Sequence, residues 1–187
     1  MPEELKIIFY PDPRLRKMSK PVKDFGPDLA LLAVKMLDLM RTGQGVGLAA
    51  PQVGKNIRLF VMNATGKPED DRVIVNPLLS DPDGEESAEE GCLSIPDIKT
   101  DVLRLKTLRL NAQDVNGKPF EETATGFVAR VWQHEIDHLN GTLIIDRMGA
   151  LAKMAHRRKL KDLEDKYAAA HPPPPPPPKP PPKKKRK

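Results

Sequence analysis

The stretch Gln133-His134-Glu135-Ile136-Asp137-His138 constrains the fold of this chain more than any other. On a helix, residues four apart share a face about one turn apart, so His134 and His138 can present two imidazoles to one point. Val131, His134, Glu135 and His138 form one stripe at i, i+3, i+4 and i+7, and because Val131 belongs inside, the histidines are expected to face the interior. Glu135 stands beside the first histidine, placed to carry a proton. H-E-x-x-H on a helix is the signature of a metal-dependent hydrolase. A catalytic zinc-like ion takes three protein ligands and keeps one position open, so the rest of the fold must deliver a third ligand to this helix.

Paired histidines also occur as satisfied core residues. Four features favour metal: the i, i+4 spacing, the intervening Glu135, Gln133 and Asp137 as hydrogen-bond partners for the imidazoles, and Cys92 in a tight Gly-Cys-Leu-Ser turn. A lone cysteine is otherwise a small buried hydrophobe.

Around this helix the chain predicts an α+β fold. Residues 5–27, with Pro11, Pro13, Pro21 and Pro27, read as extended or turning chain. Leu29, Leu32, Ala33, Met36, Leu37 and Met40 recur at helical spacing and predict a core-packing helix from Asp28 to Arg41, stopped at Gly43. The glycine-dense segment 43–54 reads either as a substrate-contacting loop, with Gln52 as a possible donor, or as a helix-to-strand connection; it fits no nucleotide-binding pattern. Strands are predicted at Ile57–Met62, Arg72–Val75, Val102–Ala112, Phe120–Thr123 and Thr142–Asp146. Asp81–Glu90 reads as an exposed, turn-rich acidic segment. Asn116-Gly117 predicts a type I′ hairpin turn with positive φ at both central positions. The helix with the histidines should run from Phe127 to about Leu139, and a last helix from Met148 to Ala170.

Charge narrows the possible partners. The 187-residue chain has a formal net charge of +5, from 31 Lys and Arg against 26 Asp and Glu. Six of the basic residues lie within residues 179–187, and without them 25 basic residues face 26 acidic ones. The basicity therefore belongs to a tail that, from Pro172 onward, is made up of ten prolines and six basic residues. Such a run adopts polyproline II and has nothing to bury. It reads as an attachment point for RNA, a nuclear import signal or a tail that does little. Cys92 is the one cysteine, which excludes an intrachain disulfide. The start of the chain does not make a signal peptide, and no apolar run approaches the roughly 18 residues of a membrane span. A soluble, cytoplasmic protein is expected.

Three segments together resemble the signature motifs of the peptide deformylase family: Gly45-Val46-Gly47-Leu48-Ala49-Ala50-Pro51-Gln52, Glu90-Gly91-Cys92-Leu93-Ser94 and Gln133-His134-Glu135-Ile136-Asp137-His138. They stand in the family's order and with family-like separations. The resemblance implies a single catalytic domain over residues 1–150, with mainly antiparallel sheets packed around a central HExxH helix, then a C-terminal helix (151–170) and a Pro/Lys-rich disordered tail (171–187). It implies that Cys92, His134 and His138 bind one divalent metal, Fe²⁺ in the first place, with Zn²⁺, Ni²⁺ or Co²⁺ also able to occupy the site. The expected reaction is removal of the N-formyl group from the initiator methionine of nascent polypeptides by a metal-bound hydroxide, releasing formate.

Glu135 would act as general base and then acid, with Gln52 and the Leu93 backbone N–H as oxyanion donors. Val46 and Gly47 would pair with the extended substrate chain, and Val46, Phe127 and Val131 would wall a methionine pocket, with Arg130 at its rim. Lys99 stands where some relatives carry arginine. A monomer is expected, with ribosome contacts through the basic C-terminal region. The competing readings are an HExxH peptidase and a non-enzymatic RNA-associated protein; the Cys92 motif and the intact Glu135 argue against them.

Overall fold

The computed structural model describes residues 4–172; the tail beyond lies outside the described residues. One sheet organises the fold. Its five strands run in the order β1 (Gly47–Ala49), β2 (Leu59–Met62), β3 (Arg72–Cys92), β4 (Ile95–Gln113) and β5 (Pro119–Thr125), each antiparallel to its neighbours. Among the described residues four α-helices surround it: α1 (Pro27–Thr42), α2 (Phe127–Leu139), the single turn α3 (Ile144–Arg147) and α4 (Ala150–Ala170).

The run Leu-Phe-Val-Met of β2 shows why the helices take opposite sides. Successive strand residues point to opposite faces, and all four here are buried. Leu59 and Val61 pack with Met36 and Met40 of α1, whereas Phe60 and Met62 pack with Val131 and Trp132 of α2. The sheet is thus covered twice where β2 runs, which accounts for a continuous apolar segment rather than an alternating one. A third cluster joins Leu15, Ile95, Ile98, Leu143, Ile144, Ile145 and Met148, with Leu160 and Leu163 of α4 packed on it. Among the described residues no helix is long and apolar enough to cross a membrane.

Three predicted local structures differ. Asp81–Glu90 is exposed up to Glu89 and buried at Glu90, and it is strand: Glu85 pairs with Leu105, Ser87 with Leu103 and Glu90 with Thr100 in a ribbon extending β3 and β4. It carries no apolar alternation because most of its residues face water on both sides, and pairing with β4 alone fixes it. The positive φ of Asp81 falls at the register shift between Ser80 and Asp83, where an extra residue bends the strand. The Asn116-Gly117 hairpin has positive φ at Gly117 only. Asp114 closes it instead, its Oδ1 accepting the N–H of both Asn116 and Lys118 at 2.9 Å. Finally, Thr142–Asp146 is not a strand. Asp146 accepts the Leu143 N–H at 2.8 Å and closes the helical turn α3, which turns Ile144 and Ile145 into the third cluster.

Candidate metal centre and active site

Helix α2 is fastened to β4 before it presents anything. The Gln133 side-chain amide accepts the Leu105 N–H at 3.0 Å and donates to the Leu105 carbonyl at 2.8 Å, copying a strand partner. This fixes the rotation of the helix and turns His134, Glu135 and His138 inward. The third group comes from the β3–β4 turn, where Cys92 pairs with Ile95.

The ligand atoms of Cys92, His134 and His138 all lie within 4.8 Å of one another, and Cys92 Sγ stands 3.3 Å from His138 Nε2. Donors sharing one tetrahedral ion at ordinary bond lengths stand roughly 3.5 Å apart, so the spacing suits a single ion. Their surroundings shift the two imidazoles in opposite directions. Burial pulls the His134 imidazolium down, but hydrogen bonds to Cys92 and Glu90 outweigh it and push its pKa up to about 10. His138, buried and beside His134, is held well below the ordinary histidine range and so stays in the neutral form that ligates. A thiolate with two imidazoles is the donor set of a transition-metal site.

Glu135 is 3% exposed. Burial pushes its carboxyl up to about 7, with His134 pulling against and Glu90 adding to the rise. Its Oε2 is buried with no protein partner among the described residues. Gly47 makes room for it: a Cβ on that residue would lie 2.3 Å from Glu135 Oε1. Gln52 is oriented from both ends. Its Oε1 accepts the Ala49 N–H at 2.8 Å, which turns the amide nitrogen toward Ser94 Oγ at 3.2 Å and Cys92 Sγ at 3.6 Å. The Leu93 side chain lies against the glycine-rich loop, where a Cβ on Gly45 would come 2.7 Å from its Cδ1. Val46, Gly47, Gln52, Cys92, Leu93, Phe127, Val131, His134 and Glu135 all line one cleft of about 500 Å³, with His138 buried behind it. Val46 and Phe127 are half exposed there, whereas Val131 is buried.

Two expectations need correction. Gln133 and Asp137 do not support the imidazoles: Gln133 holds β4, and Asp137 accepts from Arg104 and Arg147. Glu90 takes that role, its Oε2 standing 2.9 Å from His134 Nδ1. Arg130 lines the cleft from within the protein and not as an exposed rim residue. It is 5% exposed and donates to Glu90 Oε1 at 2.8 Å and to the Val102 carbonyl at 2.8 Å. Glu90 was visible in the sequence as the residue two before Cys92, but its buried arginine partners Arg104 and Arg130 sit in β4 and α2 among residues that read as ordinary surface charge.

A transition-metal donor set beside a buried carboxyl, on a helix packed against an antiparallel sheet, defines a metallohydrolase centre. Comparison with known proteins narrows the class. The family profile described as polypeptide deformylase matches residues 4–154. The chain is 44% identical over 160 residues to the peptide deformylase of Alkalilimnicola ehrlichii, covering 85% of this chain and 90% of that one. Crystal structures of peptide deformylases from Plasmodium falciparum (TM-score 0.86, 39% identity, 89% of this chain and 99% of that one) and Legionella pneumophila (0.81, 45%, 90% and 98%) share the fold. The chain belongs to the peptide deformylase family, metal-dependent hydrolases that remove the N-formyl group from nascent polypeptides.

Proposed function

We propose that Cys92, His134 and His138 hold one divalent ion, Fe²⁺, and that Glu135 moves the proton in deformylation of N-formylmethionyl chains. The observation that carries this is the convergence of the three ligand atoms within 4.8 Å beside a buried carboxyl. Zn²⁺, Ni²⁺ and Co²⁺ suit the same donors. When bound, the ion lowers the pKa of a water molecule and polarises the formyl oxygen.

Glu135, with its pKa near 7, suits both proton transfers. It takes a proton from the attacking water and delivers it to the amine nitrogen as the formyl C–N bond breaks, leaving formate and a free amino terminus. The Gln52 amide and the Leu93 backbone N–H donate to the oxyanion, each contributing about 2.7–4 kcal/mol. The substrate chain lies extended along the sheet-edge strand β1, through Val46 and Gly47, so that main-chain bonds bind it without reading its side chains. Phe127, Val131 and Val46 surround the methionine side chain.

In this reading residues 1–150 are the catalytic domain with the HExxH helix at its centre and 151–170 a C-terminal helix. The protein works as a cytoplasmic monomer. Lys153, Arg157, Arg158, Lys161 and Lys166, all exposed on α4, together with the tail lysines, contact ribosomal phosphates with an affinity that falls steeply as salt rises.

The test uses anaerobically purified full chain with formyl-Met-Ala and an unformylated peptide as substrates. Formate release from the first alone, with iron bound at one per chain, is expected. Glu135→Ala should keep the metal and lose about 10²–10⁴-fold in rate. Full retained activity would refute the role of Glu135, and internal cleavage of the unformylated peptide would favour a peptidase.

A further inference from the structure

A relay of charged side chains leads away from His134 to the protein surface. His134 Nδ1 stands 2.9 Å from Glu90 Oε2. Arg104 donates through Nε to Glu90 Oε1 and through Nη2 to Oε2, both at 2.9 Å, and through Nη1 to Asp137 Oδ2 at 2.6 Å. Arg147 then donates to Asp137 twice, from Nε to Oδ2 at 3.0 Å and from Nη2 to Oδ1 at 2.5 Å. The side chains of Arg104, Glu90 and Asp137 are 3%, 6% and 11% exposed, against 47% for Arg147. Arg147 is the last residue of α3, where the chain turns toward α4.

We propose that Arg147 is a positioning residue for the metal centre, acting through Asp137, Arg104 and Glu90 on the ring of His134. The two parallel bonds from one guanidinium fix the plane of the Asp137 carboxylate, as a single bond would not. A fixed Asp137 anchors the free end of the Arg104 guanidinium, whose other edge grips Glu90. Glu90 so held fixes His134 Nδ1, and with it the direction in which Nε2 faces Cys92. Removing Arg147 leaves Arg104 as the main partner of Asp137, drawing it away from Glu90. Asp137 lies three residues after His134 on the same helix, so the relay leaves α2 at a ligand and returns to it one turn later. Hydrogen-bond partners of metal ligands commonly change metal affinity by about 10–100-fold.

This inference rests on Cys92, His134 and His138 being the ligands. The experiment loads the full chain with Co²⁺ as wild type, Arg147→Lys and Arg147→Met, and follows Co²⁺ loss to a chelator, the visible Co²⁺ spectrum, and the melting temperature with and without metal. Release should quicken from wild type through Arg147→Lys, which can hold one carboxylate oxygen, to Arg147→Met, about 10-fold or more overall. The spectrum should shift, and the metal-loaded form should lose more melting temperature than the metal-free form. Unchanged release and spectrum, or equal losses of melting temperature in both forms, overturn the proposal. If Arg147→Met does not yield folded protein, Arg147→Lys decides alone, and a wild-type release rate there overturns it. A wild type that takes up no Co²⁺, or a spectrum indifferent to Cys92→Ser, overturns the ligand assignment itself.

Discussion

Helix α2 buries eight of its 13 residues, whereas α4 buries none of its 21. Three polar side chains of α2 are matched inside the protein: Gln133 to β4, Asp137 to two arginines, Arg130 to Glu90 and three backbone carbonyls. Those of α4 work at a wet rim. His156 pairs with the Lys99 carbonyl, Lys159 donates to the Asp97 carbonyl, and Glu164 accepts from Tyr10. A buried charged contact is costly to break because its partner is left unpaired. An exposed one is replaced by water at little cost. The proposed catalytic geometry is therefore held by the helix that cannot shift without breaking buried pairs, and α4 is left free to vary its outer face.

Breaking Glu90 should give the largest effect. Glu90→Gln leaves Arg104 and Arg130 buried without their shared carboxylate and is expected to cost about 3–5 kcal/mol in denaturant unfolding. Lys159→Ala on α4 should leave the unfolding midpoint unchanged; equal losses would erase the contrast between the helices. Next comes Gly47→Ala. The new methyl group would meet the Glu135 carboxyl at 2.3 Å, and displacing a catalytic group by about 1 Å costs about 10²-fold. Formate release should fall by that factor with the metal content intact. An unaffected rate would show that Glu135 has room to move.

How much of this was legible in the sequence follows the same division. The bounds of α2 and the convergence of its two histidines follow from local periodicity, which the sequence carries directly. So does the α1 stripe, where five of the six apolar positions named are buried and Leu32 is partly so. Cys92 stood out because a tight turn gave it a setting. The relay of Glu90, Arg104, Asp137 and Arg147 was not legible, because its members are dispersed over β3, β4, α2 and α3, and a buried arginine has the same letter as an exposed one. The ribbon at 81–90 was missed for a related reason: its strand character comes from register with β4, and its own residues carry the composition of a loop. Thr142–Asp146 misled through its paired isoleucines, whose β preference gave way to burial and to the Asp146 cap.

Tyr10 tests the α4 side of the contrast with the smallest effect. Its hydroxyl donates to Glu164 at 2.8 Å, joining the N-terminal segment to α4. The same segment donates from the Ile8 N–H to the Gln52 carbonyl and from the Tyr10 N–H to the Ser94 carbonyl, so it also backs the active-site wall. Burial, followed by the hydrogen bond and charge of Glu164, pushes the phenol up to about 12, against about 10 in an unfolded chain. A folded pKa above the unfolded one adds stability that is fully present below pH 10 and is lost as pH rises through 12. Tyr10→Phe should therefore cost about 1 kcal/mol near neutrality, and its deficit against wild type should shrink between pH 10 and 12. Hydrogen exchange should quicken in α4 and not in α2. A deficit that stays constant over that pH range would mean the ring's packing, not its hydroxyl, holds α4, and quickened exchange in α2 would mean the two helices are not independently held.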